Sequence, residues 1–266
     1  MSSPLAIIDS HCHLDFEDYA GELDAVIDRA RAAGVIALVT IGSGRDLASA
    51  RAAVALAERF PFIWATVGVH PHDVKTIEPS DWAALAALAA HPRVCGIGET
   101  GLDYHYDHSP RELQRSTLAR FAEMARAARL PLVVHVREAH ADCADILRAA
   151  GGGPGVIHCF TGGPAEARIY LDLGFHLSFS GIVTFKNAGP IREAARLVPP
   201  QRLLAETDAP FLAPMPLRGR RNEPGFIVHT IEMLAQIRGV SAAEVARATA
   251  ENARALFCLD SSPKTV

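Results

Sequence analysis

The chain has 266 residues, of which 49% are hydrophobic, so it can bury at least one large core. Its formal net charge of -4 excludes a wholly basic protein that coats nucleic acid, but it leaves room for a local basic patch beside bound cations. No apolar run reaches the roughly 18 residues that a membrane span requires, and the scattered cysteines contain no Cys-x-x-Cys pair. We therefore expect a soluble cytoplasmic protein that has no membrane partner.

Eight short apolar runs alternate with helix-like segments and predict eight β-strands. The runs cover residues 5–8, 35–41, 62–69, 94–97, 132–136, 155–157, 176–179 and 203–205. Ser109 and Ser241 each begin a capping box, and Gly34 and Gly174 lie where helices should end. Eight strands alternating with helices over about 250 residues indicate an α/β fold of the parallel (β/α)8 TIM-barrel type. No linker divides the chain, so we expect one domain over residues 1–260 and a short tail at 261–266.

Potential metal ligands lie where six of these strands end. His11 and His13 share one face of the first strand, because side chains alternate along a strand. The later candidates, in chain order, are His70 and His72, Glu99, His135, His158 and Asp208. The carboxyl ends of parallel barrel strands meet at one open face, so these side chains should converge there. A single histidine or glutamate at a strand end is more often a hydrogen-bonded surface group, but coincidence at six ends favours a metal centre.

The number of donors predicts two ions. His11, His13, Glu99, His135, His158 and Asp208 are more ligands than one ion needs if it keeps a position open for water. Glu99 lies on the fourth strand, between the two groups of histidines, and could bridge both ions. Imidazole and carboxylate ligands without thiolate suit Zn, Mn, Co or Mg. Two ions about 3.5 to 4 Å apart can activate a water between them and stabilise a phosphoryl displacement.

Basic side chains near the same face are candidate phosphate contacts. Arg221 belongs to an arginine-rich segment at 218–224, and guanidinium groups match phosphate oxygens in pairs. The alternative is a solvated charge run, because Glu223 lies inside this segment and could pair with an arginine. Arg137 has the same strand parity as His135, and Lys186 follows the seventh strand, so both should face the barrel mouth. His70 is the fourth candidate substrate contact, while Glu206 should support the ligands from below.

The whole chain resembles the TatD family of metal-dependent deoxyribonucleases, within the wider amidohydrolase-like barrel superfamily. The resemblance rests on motifs that occur in order: DSHCHLD at 9–15, VGVHPH at 67–72, IGETGLDY at 97–104, PLVVH at 131–135, HCFTG at 158–162, FSGIVTFK at 179–186, ETDAP at 206–210 and RNEP at 221–224. It implies His11, His13, Glu99 and Asp208 around one ion, and Glu99, His135 and His158 around the other. The chain departs from the family at 136–139, where VREA replaces a segment close to SRDA.

The resemblance also implies an activity. It points to a 3′-5′ exodeoxyribonuclease that uses two divalent metal ions to activate a water, and it implies a role in DNA repair. Asp208 would orient the water and take its proton, and Glu99 would bridge the ions. The expected partner is DNA, at a 3′ end or in a single strand, with no obligate protein partner.

Two other readings remain. The first is another binuclear hydrolase of the superfamily, which acts on cyclic amides, deaminates bases or cleaves phosphotriesters or lactones. Many of these enzymes bridge their ions with a carboxylated lysine, whereas this chain has Glu99 in that place. The second is a nucleic-acid or metal-binding scaffold without catalysis, for which all six ligands would be surplus.

Overall fold

A ring of eight parallel strands, with helices on its outside, forms the framework of the protein. The computed structural model describes residues 5–44 and 47–259, so the predicted tail at 261–266 lies outside the described residues. The strands are β1 (Ile7–Cys12), β2 (Val35–Gly42), β3 (Ile63–Val67), β4 (Val94–Asp103), β5 (Leu132–Arg137), β6 (Gly155–Ile157), β7 (His176–Phe179) and β8 (Leu203–Ala205). The α-helices of this described part are α1 (Leu23–Ala32), α2 (Leu47–Arg59), α3 (Asp81–Ala89), α4 (Arg111–Ala128), α5 (His140–Ala149), α6 (Pro164–Asp172), α7 (Gly189–Leu197), α8 (Ile227–Arg238) and α9 (Ala242–Phe257).

The strands pair in chain order, and the segment after β8 closes the ring by hydrogen bonding to the end of β1. Each strand from β1 to β7 pairs in parallel with the next one in the chain. After β8 the chain returns to β1, where the Asp208 amide donates to the His11 carbonyl at 2.9 Å and the His13 amide donates to the Ala209 carbonyl at 2.7 Å. The predicted TIM barrel is therefore confirmed, and its closure places Asp208 beside two candidate ligands from the other end of the chain.

The last helix seals the end of the barrel where the strands begin. Phe257 and Ala253 of α9 are buried against Ile8 of β1 and Leu204 of β8 in one apolar cluster. Burial of an aromatic side chain contributes roughly 1.5–3 kcal/mol relative to exposure, so this packing holds α9 in place. The polar side chains of the strands lie at the opposite, carboxyl end of the barrel.

Two strands extend several residues beyond their apolar runs. The pattern predicts strand one over residues 5–8, but β1 begins at Ile7 and continues through buried polar residues to Cys12. The pattern predicts strand four over 94–97, but β4 continues because Gly101 and Asp103 pair with His135 and Arg137 of β5. Gly101 has φ +147, and a Cβ there would collide with the His135 carbonyl oxygen. Only glycine allows these two strands to approach so closely.

Helix ends agree with the sequence prediction at three positions and disagree at one. Ser241 caps α9 in a capping box with Glu244, and Gly34 and Gly174 follow α1 and α6 with φ of +94 and +88. The capping box predicted at Ser109 is wrong. Its hydroxyl instead donates to the His72 carbonyl at 2.7 Å, so a tertiary partner outcompetes the local cap. Across the described residues, no helix is both long and apolar enough to pass through a membrane.

Candidate metal centre

The first group of donors comes from the first, fourth and eighth strands or the residues just after them. Nε2 of His11 lies 3.5 Å from Oε2 of Glu99 and 3.7 Å from Oδ1 of Asp208. Nε2 of His13 lies 3.4 Å from the same Asp208 oxygen and 3.9 Å from the same Glu99 oxygen. Two atoms bound to one tetrahedral ion at about 2.0–2.1 Å are roughly 3.4 Å apart. These four side chains therefore have the spacing of ligands that share one cation.

The second group surrounds the other oxygen of Glu99. Oε1 lies 2.7 Å from Nε2 of His158, 3.2 Å from Nδ1 of His135 and 3.5 Å from Nε2 of His70. These donors come from the ends of β6, β5 and β3. Glu99 thus turns one carboxylate oxygen toward each group of donors, and His70 lies within the second group rather than beside it.

His11 shows that the donors fit a cation. Its side chain is buried, and neither ring nitrogen has a hydrogen-bond partner in the part of the chain that the structure describes. A buried polar atom without a partner costs about 1–3 kcal/mol, and proteins retain few of them. Coordination of a divalent cation by Nε2 would satisfy one of these atoms. Clusters of His, Glu and Asp here meet the spacing of a metal site, and their ligand atoms suit Zn, Mn, Co or Mg.

The two carboxylates of the centre are ionised. Burial alone would raise the pKa of Glu99, but the charges of His158 and His70 and the close approach of the His11 and His135 rings hold it well below its usual range. Burial also raises the pKa of Asp208, and here the hydrogen bond with His13 and the nearby histidines outweigh it and lower the pKa. Both side chains are therefore in the form that binds a cation.

The pKa values of the histidines in the second group are shifted in opposite directions. Burial lowers the pKa of His158 and His135, but Glu99 and their other carboxylate partners outweigh it and raise both pKa values above the ordinary one. Burial lowers the pKa of His70 to about 4, so its ring is neutral at pH 7. A cation entering this group competes with protons for the ring nitrogens of His158 and His135, since only neutral imidazole binds a metal.

Two further carboxylates hold the histidines in place. Oε1 of Glu206 lies 3.3 Å from Nδ1 of His158 and accepts the Cys159 amide at 2.6 Å, as the strand parity of Glu206 predicts. Asp103, which the sequence interpretation missed as a partner, has Oδ2 3.1 Å from Nε2 of His135 and 2.9 Å from Nε2 of His72. Asp103 and Glu99 have the same parity on β4, so their side chains point to the same face. This spacing could have identified Asp103 from the sequence.

The centre opens into a cavity of about 950 Å³ at the carboxyl ends of the strands. Five of the predicted ligands line this cavity, and His11 lies buried beneath them. Of the predicted substrate contacts, His70 and Arg137 line the cavity, whereas Lys186 and Arg221 are not among its lining residues. Arg218, from the same segment as Arg221, does line it.

Arg221 is engaged with carboxylates. Its guanidinium donates to Oε1 of Glu22 at 2.6 Å, to Oε1 of Glu223 at 3.0 Å and to the Asp18 carbonyl. Glu223 also accepts two hydrogen bonds from Arg29, at 2.7 and 2.8 Å. The sequence left open whether Glu223 pairs with an arginine, and in the structure it does. These ion pairs hold the segment after β8 against α1. Lys186 is exposed on the segment after β7.

Comparison with known proteins relates almost the whole chain to one family. The family model described as TatD related DNase matches residues 8–258. An uncharacterized metal-dependent hydrolase of Bacillus subtilis, YabD, is 40% identical over 253 residues, which cover 94% of this chain and 98% of its own. A protein of Salmonella typhimurium named 3′-5′ ssDNA/RNA exonuclease TatD is 36% identical over 259 residues, with the same coverage of 94% and 98%. The crystal structure of YJJV, a TatD homolog from Escherichia coli, superimposes with a TM-score of 0.87 at 27% identity and covers 96% of this chain and 99% of its own.

Proposed function

The chain belongs to the family of TatD-related DNases, which are metal-dependent hydrolases, and from that premise we propose that it removes nucleotides from the 3′ end of single-stranded DNA. The single observation that supports this most strongly is the position of Glu99. Its Oε2 faces His11 and His13, and its Oε1 faces His135 and His158, so one carboxylate can bridge two divalent cations.

A binuclear centre of this kind suits phosphodiester hydrolysis. Divalent cations bound on the two sides of Glu99 would polarise the phosphate and lower the pKa of a water held there. Glu99 is buried between the two groups of donors, so it would be the ligand that both cations share. Asp208 lines the cavity as a carboxylate, and we assign it the orientation of the attacking water and the acceptance of its proton.

The lining of the cavity supports a nucleic-acid strand as substrate. Arg137 stands beside the ligands and His70 lies among the donors around Oε1 of Glu99, and both line the cavity, where they can donate hydrogen bonds to phosphate oxygens. Lys186 and Arg221 stay predicted contacts that the cavity lining does not include. The bonds to be cut must reach a recessed centre at the base of the cavity, and an unpaired 3′ end can thread there more easily than a duplex. The relative of this chain that is named an ssDNA/RNA exonuclease agrees with this choice of strand.

Another hydrolase activity of the same superfamily is the second candidate. Enzymes that act on cyclic amides, bases, phosphotriesters or lactones often bridge their ions with a modified lysine. Here Glu99 occupies the bridging position, and neither Lys75 nor Lys186 lines the cavity. A non-catalytic scaffold is the third candidate, and it gives no reason for ionised ligands that converge at the base of a cavity.

An assay with end-labelled oligonucleotides separates these candidates. Single-stranded DNA, duplex DNA and RNA, each labelled at the 5′ end, are incubated with Mg, Mn, Co or Zn and with a chelator. We expect a ladder that shortens one nucleotide at a time from the 3′ end of the single strand, and its loss with the chelator. Internal fragments would contradict exonuclease action, and binding without release would favour the scaffold. Hydrolysis of a lactone, cyclic amide or phosphotriester without cleavage of any oligonucleotide would favour the second candidate.

The remaining predictions concern partners and location. Nucleic acid is the proposed partner, and we propose no obligate protein partner. A cytoplasmic location and a role in DNA repair stay predictions from the sequence.

A further inference from the structure

The mouth of the cavity carries two exposed aromatic rings. The large hydrophobic side chains that are exposed among residues 5–44 and 47–259 are Tyr106, Leu113, Ile169, Phe211, Met215 and Val240. The two aromatic members, Tyr106 at 51% exposure and Phe211 at 46%, both line the cavity. Exposed apolar groups gathered at a cavity mark the place where a ligand binds.

Phe211 is held rigidly next to the metal ligands. Its ring meets Phe16 edge to face, with centroids 5.4 Å apart and an interplanar angle of 88°. Both phenylalanine rings contact His13, at 5.1 Å from Phe16 and 5.9 Å from Phe211. Edge-to-face contacts fix the orientation of a ring, so Phe211 presents its open surface in a defined direction.

Tyr106 is paired with a cation on the other side of the mouth. The guanidinium of Arg137 lies 4.8 Å from the centroid of the Tyr106 ring, and His72 and Tyr106 meet edge to face at 5.4 Å. The exposed His108 ring stacks on Tyr106, with centroids 5.6 Å apart and an interplanar angle of 12°. Within the described ranges, no carboxylate forms an ion pair with Arg137, in contrast to Arg221. The guanidinium of Arg137 is therefore oriented by the ring and still available to an anion.

The topology puts these two rings on opposite sides of the cavity. Tyr106 follows β4, and Phe211 follows β8. In a ring of eight strands paired in order, the fourth and the eighth are diametrically opposed. The ligands Glu99 and Asp208 come from the same two strands, so the metal centre lies between the rings.

We propose that Phe211 and Tyr106 form a base clamp on the two nucleotides that flank the cleaved bond. Phe211 stacks on one base, Tyr106 stacks on the other in the place that the exposed His108 ring holds in the free protein, and Arg137 contacts the backbone phosphate. This clamp rests on the proposed function, because it defines how that site takes its substrate. Stacking on aromatic rings beside basic groups is how proteins bind single strands without reading sequence. Bases inside a duplex stack on each other and cannot reach the rings, so the clamp also selects an unpaired end.

The clamp is tested by removing a ring from the enzyme and a base from the substrate. The variants are Phe211→Ala and Tyr106→Ala, with Val240→Ala as a matched control, because Val240 is exposed at 42% and lies outside the cavity lining. The substrates are a 5′-labelled DNA single strand and two copies of it in which the terminal or the penultimate nucleotide is a tetrahydrofuran abasic analogue. The readout is kcat/KM with Mn, together with the metal content of each purified variant.

We expect each alanine variant to lose about 5- to 150-fold in kcat/KM on the intact strand, which is the range for one stacked base. Each loss should shrink on one of the two abasic strands, and Phe211→Trp and Tyr106→Phe should restore most of the rate. Unchanged kcat/KM on the intact strand would overturn the clamp, and so would a loss that persists equally on both abasic strands. If the wild-type enzyme cleaves no oligonucleotide, the proposed function fails. Fluorescence anisotropy with the same labelled strand then decides the clamp, because weaker binding by both alanine variants supports it and unchanged binding overturns it.

Discussion

Asp103 and Glu99 hold the ring of His135 from its two sides. Oδ2 of Asp103 lies 3.1 Å from Nε2, and Oε1 of Glu99 lies 3.2 Å from Nδ1. A carboxylate that accepts the Nε2 proton leaves the Nδ1 lone pair for a cation and increases its basicity. Asp103 is therefore a positioning residue for the second group of donors.

Replacing Asp103 with asparagine should weaken metal binding. The amide keeps the size of the side chain but loses the charge that orients His135, and such changes lower metal affinity by about 10- to 100-fold. Titration of the metal-free protein against a competing chromophoric chelator measures this affinity. Asp107→Asn is the matched control, because Asp107 is exposed on the same segment and pairs only with Arg111 among the described residues. Equal affinities of the two variants would remove Asp103 from this role.

Asp208→Asn should abolish hydrolysis without unfolding the protein. Asparagine retains the shape of Asp208 but cannot take a proton from water, and loss of a general base lowers rates by about 100- to 10,000-fold. The measurements are the oligonucleotide rate and the melting temperature, with Asp172→Asn on α6 as an exposed control. Wild-type turnover in Asp208→Asn would exclude this residue from proton transfer.

Much of the metal centre follows from strand parity. His11 and His13 are two residues apart on one strand, so the alternation of a strand alone brings them to one face. His158 and Asp208 follow an apolar run within a few residues, and His135 lies near the end of one, which places all three at the carboxyl end of the barrel. Because the carboxyl ends of all barrel strands meet at one face, these four separate positions in the chain form one predicted site.

The parts that the sequence did not predict depend on tertiary contacts. β4 continues past its apolar run because Gly101 allows its backbone to meet β5, and this extension is what carries Asp103 to His135. Phe211 and Tyr106 lie on connections whose paths are set by the strands on either side. No periodicity marks such residues, so their convergence at the cavity could be seen only in the fold.

Arg221 and Arg137 should respond differently to the loss of their charge. Arg221 donates to Glu22 and Glu223, and it is partly exposed, so we expect Arg221→Met to lower the free energy of unfolding by about 1 kcal/mol. Arg137→Met should instead raise KM for single-stranded DNA about 10-fold, since one hydrogen-bonded charge on a phosphate is removed. Urea unfolding and steady-state kinetics on both variants measure the two effects. A raised KM in Arg221→Met at unchanged stability would restore Arg221 as a substrate contact.

His176 should make the stability of the fold depend on pH. It is buried at the start of β7, and burial, together with the nearby charge of Arg202, lowers its pKa from 6.5 to about 4. The unfolded chain therefore binds a proton at a higher pH than the folded protein does. The contribution of neutral His176 to stability is complete above pH 6.5, declines as the pH falls toward 4, and changes no further below that.

The slope of this decline is set by one proton, so it is at most about 1.4 kcal/mol per pH unit. Other groups titrate in the same interval, and the comparison with His176→Gln removes their contribution because both proteins share them. Urea unfolding of the wild type and the variant at several pH values between 4 and 7 gives the difference in free energy. We expect the wild type to lose stability relative to His176→Gln as the pH is lowered. Only the difference in the free energy of unfolding between the two proteins is compared, so the absolute stability of the metal-free protein does not affect the result. If the free energies of unfolding of the two proteins change in parallel across this interval, the folded protein accommodates a protonated His176. The polar backbone groups near Gly155 and Gln201 would then compensate the burial of its charge.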